Sequence, residues 1–313
     1  MLAEIALGLF LIFGVYIFVS KVGKHAICTT TTRMDGKTVI ITGANTGIGK
    51  ETALELAKRG AIIVLACRDL KKGNTAVVDI KNQTKNENVF LKELDLSSMQ
   101  SIRLFASSFL KEFSSLHVLI NNAGVFCPQQ KTKDGFEMHL GVNHLGHFLL
   151  TNLLLKHMNA TNEPCRIINV TSKLHEFGKI NFSDINFDNN YSIYKAYSQS
   201  KLANILFTIE LNKKLSHSNI TVYAVHPGLV LTNILRHDFF TNHFIPRCFF
   251  KTPKQGAQTL LYCATQKGLE TFSGSYFAEC QITKSRNASI SDAKLSKKLW
   301  EYSEKATNTS FPL

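Results

Sequence analysis

The stretch "AYSQSKLANILF", residues 196–207, places Tyr197 and Lys201 four positions apart. On a helix these positions share one face, one turn apart. A free phenol titrates near pH ~10, and a neighbouring ammonium favours the phenolate. Such a pair could work as an acid–base group near neutral pH. The plainer alternative is a partly buried tyrosine beside a lysine whose stem lies along apolar surface. A second constellation is "TGANTGIGK", with Gly43, Gly47 and Gly49 spaced G-x-x-x-G-x-G. Glycines allow a tight turn there and let the backbone approach a pyrophosphate at a helix N-terminus. Arg68, in "LACRD", stands where a dinucleotide fold reads the ribose, and an arginine there accommodates a 2′-phosphate. Asp69 follows at once and is assigned to capping the next helix. "NNAG", residues 121–124, either closes a structural turn or walls an adenine and its ribose.

These groups need elements to hold them. β-Branched and apolar runs predict strands at "KTVIIT" (37–42), "AIIVLAC" (61–67), "NVFLKELD" (88–95), "HVLINNAG" (117–124), "RIINVTS" (166–172), "ITVYAVHPG" (220–228) and "GSYFA" (274–278). Helices are expected near 48–59, 70–84, 98–113, 136–158 and 253–266, with the Tyr197 helix running to about residue 215. Alternating strands and helices imply a parallel sheet covered on both faces. With right-handed crossovers this is a single α/β domain, doubly wound and Rossmann-type.

T-G-x-x-x-G-x-G, N-N-A-G, a serine after the fifth strand, Y-x-x-x-K and P-G-x-x-x-T occur in that order between residue 37 and about residue 235. This order resembles the short-chain dehydrogenase/reductase family. "GANTGIGKETALELAKRGA", "GVNHLGHFLLT" and "SKLANILFT" resemble its membrane-bound retinol dehydrogenase branch, types 11 to 14. The resemblance implies a catalytic tetrad of Asn143, Ser172, Tyr197 and Lys201. Thr171 also carries a hydroxyl, but Ser172 occupies the family's serine position. It implies NADP(H) contacts at Gly43, Asn45, Thr46, Gly47, Ile48, Gly49, Arg68, Asp95, Leu96, Asn122, Ala123, Gly124, Tyr197, Lys201, Pro227, Gly228 and Thr232. In the implied reaction Ser172 hydrogen-bonds the substrate oxygen, Tyr197 donates the proton, Lys201 holds the nicotinamide ribose and Asn143 positions a relay water. No metal takes part, and His144, His147 and His175 are expected to be structural or channel residues. The segment "RHDFFTNHFIPRCFF" (236–250) is expected to form an apolar lid over a channel for a lipophilic alcohol or aldehyde, with retinol/retinaldehyde first among the candidates.

Composition narrows the remaining classes. Hydrophobic residues make up 44% of 313 residues, enough for a substantial core. The net charge of +13 is dispersed, and no nucleic-acid-binding motif accompanies it. It is therefore expected to be solvated surface that also suits lipid headgroups, with no nucleic-acid partner. Seven scattered cysteines without metal-ligand spacing point to free thiols in a reducing compartment. "IALGLFLIFGVYIFV", residues 5–19, is uncharged and would span roughly 22 Å as a helix. Lys21, Lys24, Arg33 and Lys37 follow it, so the positive-inside rule puts the body in the cytosol. The expected layout is an anchor at 1–20, a linker at 21–36 and a dinucleotide domain at 37–313, on the endoplasmic reticulum, able to form homo-oligomers.

Overall fold

A computed structural model describes residues 25–232 and 250–313. The expected anchor and the expected lid, apart from Phe250, lie outside the described residues. The chain alternates β1 (Thr38–Thr42), α1 (Gly47–Lys58), β2 (Ile62–Cys67), α2 (Leu70–Thr84), β3 (Val89–Glu93), α3 (Met99–Glu112) and β4 (Val118–Asn121). A π-turn, Leu140–Leu145, then runs directly into α4 (Gly146–Asn159). β5 (Cys165–Val170), a 3₁₀ turn (Lys173–Phe177), α5 (Ile193–Lys214), β6 (Ile220–His226), α6 (Pro253–Thr265), β7 (Tyr276–Ala278), β8 (Gln281–Ile282) and α7 (Ala293–Thr307) follow.

The strands form one sheet in the order β3-β2-β1-β4-β5-β6-β7-β8, parallel except for β8. β1 is buried at all five positions, as its uninterrupted apolar run requires. Alternate residues feed opposite cores. Val39 and Ile41 pack with Leu56 of α1, Ile80 of α2 and Leu260 of α6. Ile40 packs with Phe105 of α3, Phe148 of α4 and Phe207 of α5. Helix starts are chemically marked: Asp69 caps α2 by accepting from Lys72 N at 3.0 Å, as expected. Thr252 and Gln255 form a reciprocal capping box at α6, with Pro253 at the first turn.

Two features exceed the sequence expectation. The strand at 274–278 does not finish the body, because α7 follows it, capped by Asp292. α7 buries Leu299 and Trp300 against α4 and α5. Residues 25–36, expected as a linker, lie against the domain: Ala26 N donates to Glu279 Oε2 at 3.2 Å and Cys28 N to Gln258 Oε1 at 3.0 Å. Among the described residues no helix is long and apolar enough to cross a membrane.

Candidate active site

The dinucleotide side is assembled by Thr42 at the end of β1. Its hydroxyl accepts from Asn122 N and Ala123 N, each at 2.9 Å, and its carbonyl accepts from Asn122 Nδ2 at 2.8 Å. The glycine-rich turn is thereby locked to "NNAG". Gly43 and Gly47 hold φ of +66° and +60°, which suits glycine alone among ordinary residues. A Cβ at Gly49 would lie 2.6 Å from Asn122 Nδ2 and 2.8 Å from the Gly43 carbonyl. The packing therefore demands three bare Cα positions around one concavity.

Thr46 precedes α1 without a side-chain cap, and no acidic side chain occupies the first turn. The first-turn N–H groups thus face the concavity with a favourable dipole for an anion. These residues fit a pyrophosphate. Thr232 joins them, its methyl 3.4 Å from a Cβ placed on Gly47. The loop carrying buried Pro227, Gly228 (φ +93°) and Thr232 is fixed by a parallel bridge between Val230 and Lys251.

Other expected contacts are placed less directly. Arg68 is exposed at the end of β2, next to the capping Asp69. Lys50, a candidate source of positive field, is ion-paired with Asp79. Asp95 is committed locally: Ser97 N donates to it at 3.0 Å, Ser97 Oγ at 2.7 Å, and Lys133 pairs with it at 2.9 Å. Burial opposes its ionisation, but these donors outweigh burial and hold its pKa below the usual carboxylate value. Leu96 is buried, its carbonyl 2.8 Å from a Cβ on Gly146. Ile48 packs toward Gly256, and Gly124 is half-buried after Ala123. Asn45 and Ala44 offer backbone N–H groups to the Cys67 thiol, whose pKa burial raises to about 11.

The residues expected to be catalytic centre on α5. Tyr197 and Lys201 are both buried, with Lys201 Nζ 5.6 Å from the tyrosine ring centre. Ser172 lies near the Tyr197 phenol, and its hydroxyl favours the ionised form. Thr171 is occupied elsewhere, donating to the Lys201 carbonyl at 2.7 Å. Only Ser172 of the two hydroxyls thus reaches the tyrosine. His175 steadies that loop through Nδ1 to the Ser172 carbonyl at 2.6 Å and Nε2 to Ser285 Oγ at 2.7 Å. Asn143 lies in the π-turn, a distortion common at functional sites. Its amide accepts from Val125 N at 2.8 Å and donates to Ser200 Oγ at 3.0 Å. Ser200 Oγ in turn donates to the Tyr197 carbonyl at 2.7 Å. Short bonds thus link Asn143 through Ser200 to Tyr197, while Lys201 and Ser172 lie beside the tyrosine side chain.

The electrostatics differ from the sequence expectation. The ammonium was expected to favour the phenolate, but burial pushes the Tyr197 phenol up to about 12, and the Ser172 hydroxyl offsets this only in part. Burial also brings Lys201 down to about 8. Its nitrogen lies toward the ring and donates to the Val170 carbonyl at 3.1 Å. Desolvation of both groups outweighs their mutual attraction.

Some links within the site escaped the sequence. His147 is buried; its Nδ1 meets the Asn143 carbonyl at 3.0 Å and its Nε2 meets Thr42 Oγ1 at 2.9 Å. It joins the two halves of the site. Glu137 and His139, just before the π-turn, are buried beside Tyr197. "FEMHLGVN" contains both, yet a carboxylate two positions from an imidazole matches no ligand or catalytic spacing.

A parallel sheet with a glycine-rich turn after its first strand and a Ser/Tyr/Lys cluster across the same edge defines a nucleotide-dependent oxidoreductase class. The short chain dehydrogenase family profile matches residues 37–241, and the chain belongs to that family. It is 49% identical to human retinol dehydrogenase 11 over 292 residues, covering 91% of this chain and 90% of that protein. It is 50% identical to human retinol dehydrogenase 12 over 294 residues, with the same coverages. A solved structure of an uncharacterized Mycobacterium Paratuberculosis protein superposes with a TM-score of 0.76 at 38% identity, covering 93% of this chain and all of that one. The chain is thus a short-chain oxidoreductase similar to retinol dehydrogenases.

Proposed function

We propose that the protein transfers a hydride between NADP(H) and a lipophilic alcohol or aldehyde, with retinol/retinaldehyde as the pair. The observation that carries this reading is the buried Tyr197 phenol near Ser172, with Lys201 Nζ 5.6 Å from its ring centre. When bound, the dinucleotide supplies or accepts the hydride. Ser172 hydrogen-bonds the carbonyl oxygen and Tyr197 delivers the proton to that atom. With its pKa near 12, Tyr197 is a neutral phenol at physiological pH, the state needed to donate. Lys201 holds ribose hydroxyls, and Asn143 orders the relay behind them through Ser200 and the 125–127 segment. The glycine-rich turn, Asn122 and Thr232 hold the phosphates and carboxamide. Arg68, exposed beside a helix-capping Asp69, favours the 2′-phosphate. Retinoid preference draws support from the named relatives. The apolar run at 5–19 supports a single anchor facing the body to the cytosol, on the endoplasmic reticulum.

The test is NADPH oxidation by the membrane-bound protein with all-trans-retinal, nonanal and a steroid ketone, NADH serving as the control cofactor. Tyr197→Phe should lower kcat roughly 10²–10⁴-fold, the usual worth of a general acid, with NADPH affinity within about twofold. Arg68→Ala should raise the KM for NADPH about tenfold or more while sparing NADH. Full turnover by Tyr197→Phe would remove the catalytic assignment. Equal efficiency with all three carbonyl compounds would remove the retinoid preference.

A further inference from the structure

Tyr197 is one of three rings packed edge to face. Phe126 lies 5.2 Å from it at 79°, His139 lies 6.0 Å from it at 83°, and Phe126 and His139 are 6.1 Å apart. Phe126 belongs to the segment that leaves "NNAG", and that segment is tied at both flanks. At one end, the Asn143 amide accepts from Val125 N and donates to the Val125 carbonyl. At the other, Cys127 N donates to His139 Nε2 at 3.1 Å, and the Cys127 carbonyl accepts from Tyr191 OH at 3.1 Å. Phe126 is thereby held between two clamps that rise from one turn of chain around residues 139–143.

The hydrogen bonds fix the state of the imidazole. Nε2 accepts a backbone N–H, so it carries no proton, and Nδ1 must be the donor to Glu137 Oε1 at 2.6 Å. The Glu137 carboxylate also accepts His139 N at 3.0 Å and Leu140 N at 2.8 Å. It is a buried carboxylate, 1% exposed, whose three donors all come from residues 139 and 140. A buried carboxylate is costly unless its acceptor sites are filled. A stable loop could be built without one, so its function should be sought in what it orients.

We propose that Glu137 and His139 form a positioning couple for the reaction: the carboxylate fixes the imidazole tautomer, Nε2 fixes the Cys127 amide, and the fixed segment presses Phe126 against Tyr197 so that the phenol faces Ser172. The proposal rests on Tyr197 being the proton donor. Neither residue is among the expected dinucleotide contacts, so the couple should act on turnover and leave cofactor binding alone.

The two ends of the imidazole can be separated. His139→Gln places an amide oxygen near the Nε2 position and keeps an acceptor for Cys127 N, while Glu137 keeps its two backbone donors. His139→Asn reaches only the Nδ1 position, so it retains the Glu137 bond and removes the acceptor offered to Cys127. Both variants alter the same buried site, so a merely structural role lowers Tm and kcat in parallel in the two. A positioning role separates them. In the full chain with NADPH and all-trans-retinal, His139→Gln should keep kcat within about threefold, while His139→Asn should lose about tenfold or more, with the KM for NADPH within about twofold in both. Phe126→Leu should lower kcat by itself but add less than about twofold to His139→Asn, because the two changes remove one shared contact. Equal kcat in the Gln and Asn variants, or full additivity with Phe126→Leu, would overturn the couple. Tyr197→Phe is run alongside: if it stays fully active, the proton-donor reading fails instead, whatever His139 does.

Discussion

At the scale of the residue, desolvation governs the site more than pairing does. Lys201 is buried with its pKa lowered to about 8, against about 10.5 in an unfolded chain. Between those values the unfolded chain binds more protons than the native one, so the native state gains stability as pH rises from about 8 to about 10. Below pH 8 the full penalty of holding a buried ammonium is present. Lys201→Met should therefore be inactive yet melt higher than the wild type at pH 7, and the difference should narrow toward pH 10. Thermal melts at the two pH values check this, and a pH-independent gap would show that the penalty lies elsewhere. Tyr197, Lys201, Ser172 and Asn143 were all legible as letters at recognisable spacings. Their ionisation was not, because spacing reports proximity and says nothing of how much water remains. The His139–Cys127 and Thr42–His147 links were illegible for a different reason: the partners lie 12 and 105 positions apart, and no local pattern announces them.

At the scale of the element, strands and most helices could be read because each carries one dominant signal. β1, β2, β5 and β6 are β-branched runs, and α1 and α2 follow the first two at short distance. α7 could have been found from Asp292 and from Leu295, Leu299 and Trp300 at helical spacing. Its four lysines, Lys294, Lys297, Lys298 and Lys305, make the segment look like solvated tail. The glycine-rich turn is the element whose geometry admits least change. Gly49→Ala puts a methyl group into the space of Asn122 Nδ2 and the Gly43 carbonyl, and backbone on one side cannot move aside. Overpacking of this kind costs about 1–3 kcal/mol of stability. It should also weaken NADPH binding about tenfold or more, as measured by titration of the cofactor's fluorescence. Unchanged binding in a folded Gly49→Ala protein would mean that the turn and "NNAG" need not touch.

At the scale of the whole molecule, buried histidines make the fold sensitive to acid. Burial lowers His144 to about 3, and His147 and His226 to about 4, all far below the ordinary value of 6.5. As pH falls through 6.5 toward 4, the unfolded chain takes up protons that the native chain refuses, and native stability falls. Three such groups give a slope of up to about 4 kcal/mol per pH unit near pH 5. Urea unfolding across pH 7 to 4.5 measures it, and His144→Phe should remove about one proton from the slope. A flat profile would contradict native burial of neutral imidazoles.

The fastening of residues 25–36 has a geographic consequence. Ala26 is held by Glu279, Glu279 pairs with Lys251, and the Lys251 stem lies against Gly228 at the rim of the cleft. The segment 25–36 therefore lies beside the loop that carries Gly228 and Thr232. An anchor of the kind proposed above would tether the fold at that corner, next to the loop expected to meet the cofactor.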